Sequence, residues 1–415
     1  MAVLSLLVQL FPRPTTLWPQ NGEDVYKLCQ LAFLSTPLAL PFLNAVQAPF
    51  GRFSAPSRFN VNGNLGWFLM EIVSPVTFLV SFLSQPLDSV ESDESSGSTL
   101  VVVAKSLVSP SLSRLSEIPV ANKLLATLFV IHYFNRAVLN PLRAPRRSPM
   151  HLSVPIAAVL VNLVNGFLMG SWLGGRSPAL LIPSAALDLS RKTRATQKFK
   201  SIASRLGNRP PTISAPGLLP QDSSTVLTHP LFLLGVAGWA IGFASNVYHD
   251  EILLDLRRPK ADRVTKVMRE DAEKDEAADS KSPSPKYGIP KGGLYKFVSY
   301  PNYLSEWLEW FSFAIAAYSL TPISPYCTQQ LRDRFPLYPG EIMPISLPFP
   351  PLLTFARVLI FLTSPPALFL FMEIPPMIAR AVSGHDWYQK KFGVEGDGKG
   401  GKYPKERKAV IPGLL

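Results

Sequence analysis

The chain has 415 residues, 47% of them hydrophobic, with a mean hydropathy of +0.17 and a net charge of +12. So apolar a composition excludes an ordinary soluble domain and points to a chain that crosses a membrane several times. The positive charge gathers in connecting segments and the tail, which fits cytoplasmic loops beside anionic lipid better than a nucleic-acid groove, and Cys29 and Cys327 in or beside apolar stretches form no disulfide framework.

The opening MAVLSLLVQLF is apolar, but it lacks a basic n-region and a small-residue cleavage site, and Pro12, Pro14 and Pro19 follow closely. Residues 1–24 therefore read as an interfacial lead-in rather than a cleaved signal. From residue 25 to 415 the pattern predicts one all-α membrane domain, a bundle of seven spans, because stretches near the roughly 20 residues that cross a bilayer recur along the chain. The first covers about 25–46 and is broken by Pro37 and Pro41; the second, about 65–83, encloses Glu71. The third, about 121–139, carries His132, Tyr133 and Arg136. The fourth, about 154–173, holds Asn162, Asn165 and the pair Gly166/Gly170, whose spacing lets another helix approach closely. The fifth begins near Pro230 and ends in SNVYHDEILLDLRRP, and the sixth lies in GGLYKFVSYPNYLSEWLEWFSFAIAAYSL, residues 292–320. The seventh falls within 352–378, where the pair Pro365-Pro366 is expected to bend or divide it.

Three linkers read as disordered by composition: the Ser-rich 87–118, the Ser, Pro and Arg-rich 176–226, and the highly charged 260–286. Arginines 143, 146 and 147, the basic loop after the fifth span and the tail KYPKERK fall on one side of a seven-span chain, which predicts a cytoplasmic C-terminus. The basic loop of about 50 residues after the fourth span falls on the other side, but the charge rule weighs long loops least.

Metal chemistry is not expected, because the five histidines never cluster as HxxH. No GxSxG elbow occurs, and GDGKGG at 396–401 follows no strand and opens no helix, so it reads as a loop rather than a nucleotide fingerprint. What stands out is polarity at membrane depth. A carboxylate there costs roughly 2.5–3.5 kcal/mol on insertion scales, so it must face a protein interior or a wet cavity. Asn302, Glu306 and Glu309 share one helix face, and so do Asn246 and Asp250, with Arg257 about two turns further on. With Tyr287, Arg380 and Tyr388 they suit a large polar cofactor held between helices, arginine on phosphate and amide or acid on ribose or carboxamide. The competing reading is a bundle cross-linked by hydrogen bonds. Glu71 and Tyr133 form a second group: if burial keeps Glu71 protonated, the two can donate to a substrate carbonyl.

Several of these stretches resemble the steroid 5α-reductase family: GWFLMEI, LFVIHYFNR, SNVYHDEILLDLRRP, IPKGGLYKFVSYPNYLSEWLEW, and HDWYQKKF with YPKERKAVIPGLL, in that order and most densely in 230–415. The linkers look like insertions of the kind a fungal homologue carries. The resemblance implies a monomeric seven-helix protein of the endoplasmic reticulum membrane that encloses NADPH, reached from the cytoplasm. It also implies that Glu71 and Tyr133 bind a 3-oxo group, while Asn246, Asp250, Arg257, Tyr287, Asn302, Glu306 and Tyr388 surround the cofactor. Gly288 and Met70 depart from the family pattern, where arginine and glutamine stand, and leave the pocket's detail open. The reading that follows is reduction of a carbon–carbon double bond in a hydrophobic steroid or isoprenoid, with the 4-ene of a 3-oxo steroid first and a polyprenol second. A membrane methyltransferase and a non-catalytic membrane protein are the alternatives of other classes.

Overall fold

The computed structural model describes residues 21–45, 47–85, 107–176, 226–274, 288–320, 361–393 and 403–415, with 103–105 and a few single positions between. Tyr287, Cys327, the run GDGKGG and residues 88–102, 177–225 and 275–286 of the linkers lie outside the described residues, whereas 107–118 and 260–274, expected to be disordered, are placed and carry the short helices Arg114–Glu117 and Lys266–Lys274.

Helix α1 (Gly22–Ser35) starts where the Asn21 side chain accepts the Asp24 N–H at 2.9 Å. Pro37 cannot extend it, so the chain tightens into a 3-10 turn, Thr36–Ala39, before α2 (Leu40–Ala45). Helix α3 (Gly63–Leu83) is capped by Asn62, which accepts from the N–H groups of Asn64 and Leu65. Helix α4 (Val120–Tyr133) runs without a break into a π turn, Phe134–Leu139, and then α5 (Asn140–Arg143). Pro141 has no N–H to offer the preceding turn, and the wider π turn lies just before it. Helix α6 (Ser153–Leu173) follows a two-residue ladder in which β1 (Asn60–Val61) pairs antiparallel with β2 (Met150–His151), tying the starts of α3 and α6 together.

The second half comprises α7 (Pro230–Asp255), the short polar α8 (Lys266–Lys274), α9 (Pro301–Tyr318) and α10 (Pro365–Phe392). Arg257 therefore stands past the end of α7 rather than on its face. The Pro365-Pro366 pair neither bends nor divides a span. It opens α10, where a missing N–H costs nothing, and the helix continues to Phe392, well past the expected end. The prolines inside that helix are Pro375 and Pro376.

Two helix pairs approach most closely. A Cβ on Gly166 would stand 2.4 Å from the Ser74 carbonyl oxygen, and one on Gly170 2.4 Å from that of Phe78, so only glycine lets α6 lie this near α3. Gly242 does the same for α7 against Glu309 of α9, where a Cβ would meet backbone at 2.6 Å. Between the pairs lies an aromatic core: Phe78 and Phe129 stack at 4.2 Å, and Trp310 meets Phe369 edge-on at 5.0 Å. The C-terminal tail docks beside the start of α9, with the Ser299 N–H donating to the Lys408 carbonyl at 2.8 Å and Val410 fully buried.

Among the described residues, four helices are long and apolar enough to cross a membrane: α3, α6, α7 and α10. The other expected spans are helical but interrupted, as in α1–α2 and α4–α5, or laden with acids, as in α9.

Candidate functional site

A cavity of about 480 Å³ opens among α2, the 3-10 turn Gly51–Phe53, α3, the π turn, the start of α6, the end of α7, the start of α9 and α10. Five arginines line it, Arg52, Arg136, Arg147, Arg257 and Arg380, against two carboxylates, Glu71 and Asp250. Such a surplus of fixed cations in a confined space suits an anionic ligand. The lining turns apolar through Leu43, Met70, Met150, Val154 and Ala158.

Its polar wall is built from helix spacing. Asn246 and Asp250 stand one turn apart on α7, facing Asn302 and Glu306 one turn apart on α9. The Asn302 amide donates to Asp250 at 3.0 Å and Asn140 donates to its other oxygen at 3.3 Å. Asn246 donates to Glu306 at 3.1 Å and to the Asn302 carbonyl at 3.2 Å, which fixes both residues from behind. These hydrogen bonds leave the buried side-chain oxygen of Asn302 without a partner at the cavity wall. The π turn carries Arg136 to the centre. Its guanidinium donates to Glu71 at 3.2 Å through Nε and to Glu306 at 3.2 Å through Nη1, linking α3 to α9.

The rim is aromatic and cationic. Arg52 lies 4.7 Å from the Trp387 ring and 4.4 Å from that of Tyr388, and donates to the Tyr388 hydroxyl at 3.3 Å. Arg380 lies 3.5 Å from the Phe50 ring and donates to the Phe50 carbonyl. Gly51, at φ +62, turns the chain between these two anchors, and a Cβ there would stand 3.2 Å from the Arg380 guanidinium. Arg147 lies 4.5 Å from the Trp67 ring and hydrogen-bonds Asn140; burial pushes its guanidinium down to about 10, so it stays charged at neutral pH.

Of the residues singled out by sequence, Glu71, Asp250, Arg257, Asn302 and Arg380 line the cavity, and Asn246 and Glu306 brace it from behind. Tyr388 takes part only through Arg52. Tyr133 does not line the cavity. Its hydroxyl accepts from Asn165 at 2.7 Å and its ring packs on Phe129, while the π turn that begins at the next residue brings Arg136 to the cavity. Glu71 is likewise no lone acid, since its side chain accepts from Arg136 Nε at 3.2 Å. Glu71 is thus held by Arg136, while the Tyr133 hydroxyl lies on Asn165 outside the lining. Sequence reasoning passed over Arg136, Asn140, Arg52 and Arg147. An arginine within a span was a signal for the first; the others lie at the end of a helix or in loops, where no periodicity points to them.

The chain matches the family described as 3-oxo-5-alpha-steroid 4-dehydrogenase over residues 277–325 and 352–415. It is 28% identical over 382 residues to an uncharacterized protein, C9.08c, of Schizosaccharomyces pombe, covering 89% of this chain and 92% of that one. The steroid 5-alpha-reductase DET2 of Gossypium hirsutum is 25% identical over 401 residues, covering 94% and 98%. The rat 3-oxo-5-alpha-steroid 4-dehydrogenase 1 is 22% identical over 374 residues, covering 90% and 88%. The chain is thus similar to the steroid 5α-reductases along most of its length, as its motifs imply, and carries helices long and apolar enough to cross a membrane.

Proposed function

We propose that this protein is an NADPH-dependent reductase of a carbon–carbon double bond in a hydrophobic substrate, with the 4-ene of a 3-oxo steroid or sterol as the leading class. One observation carries the reading: the Asp250–Asn302 pair and five arginines converge on a cavity that also contains Glu71 and an apolar flank. Family names point the same way, since two of the relatives are named for that reduction.

The residues fit a phosphorylated dinucleotide. Arg52, Arg147, Arg257 and Arg380 would hold its phosphates, and Asp250 with the unpartnered oxygen of Asn302 would meet its hydroxyl and carboxamide groups. The chemistry such a cofactor would supply, once held by these residues, is hydride for the β carbon of the enone. Charge would then grow on the carbonyl oxygen, and Arg136, held by Glu71, is a cavity-lining cation placed to stabilise it. Tyr133 supports that wall from the core. In this reading the chain spans the endoplasmic reticulum membrane seven times as a monomer, with its C-terminus in the cytoplasm.

The position of Tyr133 outside the lining favours a second substrate, a polyprenol, which has no ketone to hold. Mass spectrometry after incubating the protein in membranes with NADPH and a panel of enone steroids and polyprenols separates the two. A gain of two hydrogens on one class identifies the substrate; no gain on any member with active protein overturns the reading.

A further inference from the structure

Among the described residues, none of the C-terminal run YPKERKAVIPGLL lines the cavity, yet the run packs behind its rim. Arg52 of the rim rests against three rings, Tyr300 at 5.7 Å, Trp387 at 4.7 Å and Tyr388 at 4.4 Å, and donates to the Gly384 carbonyl and the Tyr388 hydroxyl, each at 3.3 Å. Two of those rings are in turn held by the tail. Tyr403 lies nearly parallel to Tyr388, with 5.3 Å between centroids and 11° between planes, and the Tyr300 N–H donates to the Ala409 carbonyl at 3.0 Å. Arg407 places its guanidinium 4.9 Å from the Tyr403 ring. From the cavity into the tail, the contacts therefore run Arg52 to Tyr388 to Tyr403 to Arg407, two cations joined through two rings.

This chain of contacts is buried and closely fitted. Tyr388 and Tyr403 are each 3% exposed and Arg407 5%. The Nε and Nη1 atoms of Arg407 find no hydrogen-bond partner among the described residues, so the Tyr403 ring is what its guanidinium meets, in the desolvated setting where such a contact is strongest. Tyr403 is itself pinned. Its hydroxyl hydrogen-bonds Ser299 Oγ, which donates to the Lys408 carbonyl at 3.1 Å and meets His385 Nδ1 at 2.7 Å. On α10, a Cβ at Gly384 would stand 1.6 Å from the Tyr300 hydroxyl oxygen, so only glycine there lets Tyr300 lie against the helix whose carbonyl Arg52 grips.

We propose that Tyr403 and Arg407 are positioning residues of the cavity: the tail fixes Tyr388, Tyr388 fixes the Arg52 guanidinium, and an anionic cofactor meets a cation whose orientation is set beforehand. The inference rests on the cofactor reading of the cavity. A free arginine side chain loses rotamer freedom when it grips a phosphate, and one already held against rings loses less, so the tail raises affinity without touching the ligand. Its effect falls on binding rather than on the hydride step, because Arg136, the cation assigned to the carbonyl oxygen, is held from elsewhere by Glu71 and Glu306.

The test uses the full chain in lipid nanodiscs and follows Arg52 without and with nucleotide. Without it, the rate at which phenylglyoxal modifies Arg52, read by peptide mass spectrometry against the exposed Arg58, should rise several-fold in Tyr403→Leu. With NADPH, the dissociation constant and KM should rise about 10-fold in the same variant while kcat at saturating NADPH holds. Tyr403→Phe, which keeps the ring, should recover most of both changes. In an Arg52→Ala background Tyr403→Leu should add little, whereas a tail acting only through overall stability would weaken binding by the same factor in either background. An Arg52 modification rate unchanged in Tyr403→Leu overturns the proposal whatever the nucleotide does. So does an unchanged NADPH constant, or a full loss repeated in the Arg52→Ala background. If Tyr403→Leu does not fold, Arg407→Met decides, since it gives up no hydrogen bond through Nε or Nη1: it should move both readouts in the same direction, and no movement in either overturns the proposal. A wild type in which Arg52 responds as expected but NADPH does not bind refutes the cofactor reading instead, so the two failures are told apart.

Discussion

Replacing Arg136 with glutamine removes the single cation that joins α3 to α9. Each of its two ion pairs spans 3.2 Å. At an effective dielectric of about 20, each is worth roughly 5 kcal/mol of gross attraction. Desolvation of the guanidinium, whose side chain is 23% exposed, offsets much of that. Breaking a buried pair from one side typically costs about 3–5 kcal/mol, since the orphaned carboxylates remain. For a structured core of this size that is a fall of roughly 6–10 °C in melting temperature. Thermal unfolding of the purified protein in one detergent, followed by tryptophan fluorescence, measures it. Lysine at 136 keeps the charge but not the fork that reaches both acids, so it should recover only part of the loss. A melting temperature for Arg136→Gln within a degree of wild type would refute the argument that this guanidinium ties the site together.

Gly170→Val places atoms where the Phe78 carbonyl already stands 2.4 Å from an ideal Cβ, so α6 must leave α3; detergent-solubilised protein should run as aggregate in size-exclusion chromatography, and a monodisperse peak counts against the packing. Arg257→Ala and Arg380→Ala each remove a charge-assisted contact worth about 1.5–3 kcal/mol, so NADPH dissociation constants from calorimetry should rise roughly 10- to 150-fold; unchanged constants remove these residues from the site. Glu71→Gln, which frees Arg136, should lower turnover about 100-fold, whereas Tyr133→Phe, outside the lining, should lower it less; the reverse order in kcat would restore the phenol as the principal donor.

Helical periodicity carried most of what the sequence revealed. Asn246 with Asp250 and Asn302 with Glu306 were legible because a four-residue step places side chains on one face, and polar faces at bilayer depth turn inward. The same rule located the glycines of α6 that meet α3. What escaped it has a local or a long-range cause. Pro365-Pro366 reads as a kink from inside a hydrophobic run, yet a proline pair is equally at ease opening a helix, and only the backbone shows which. Tyr133 ends the regular part of its helix and packs in the core, while the π turn that starts at the next residue carries Arg136 to the cavity, and no sequence pattern marks where one gives way to the other. Arg52 belongs to a three-residue turn and meets Tyr388 across 336 positions, a pairing no sequence pattern records.

In the proposed function, buried amides, acids and arginines from α3, α7, α9, α10 and the loops beside them hold one cofactor. Titrating the purified protein in nanodiscs with NADPH, and separately with S-adenosylmethionine, tests it most directly. NADPH should bind saturably, lose that binding in Asp250→Ala combined with Asn302→Ala, and the methyl donor should not bind. Binding of S-adenosylmethionine alone, or NADPH binding unchanged in the double variant, would contradict it.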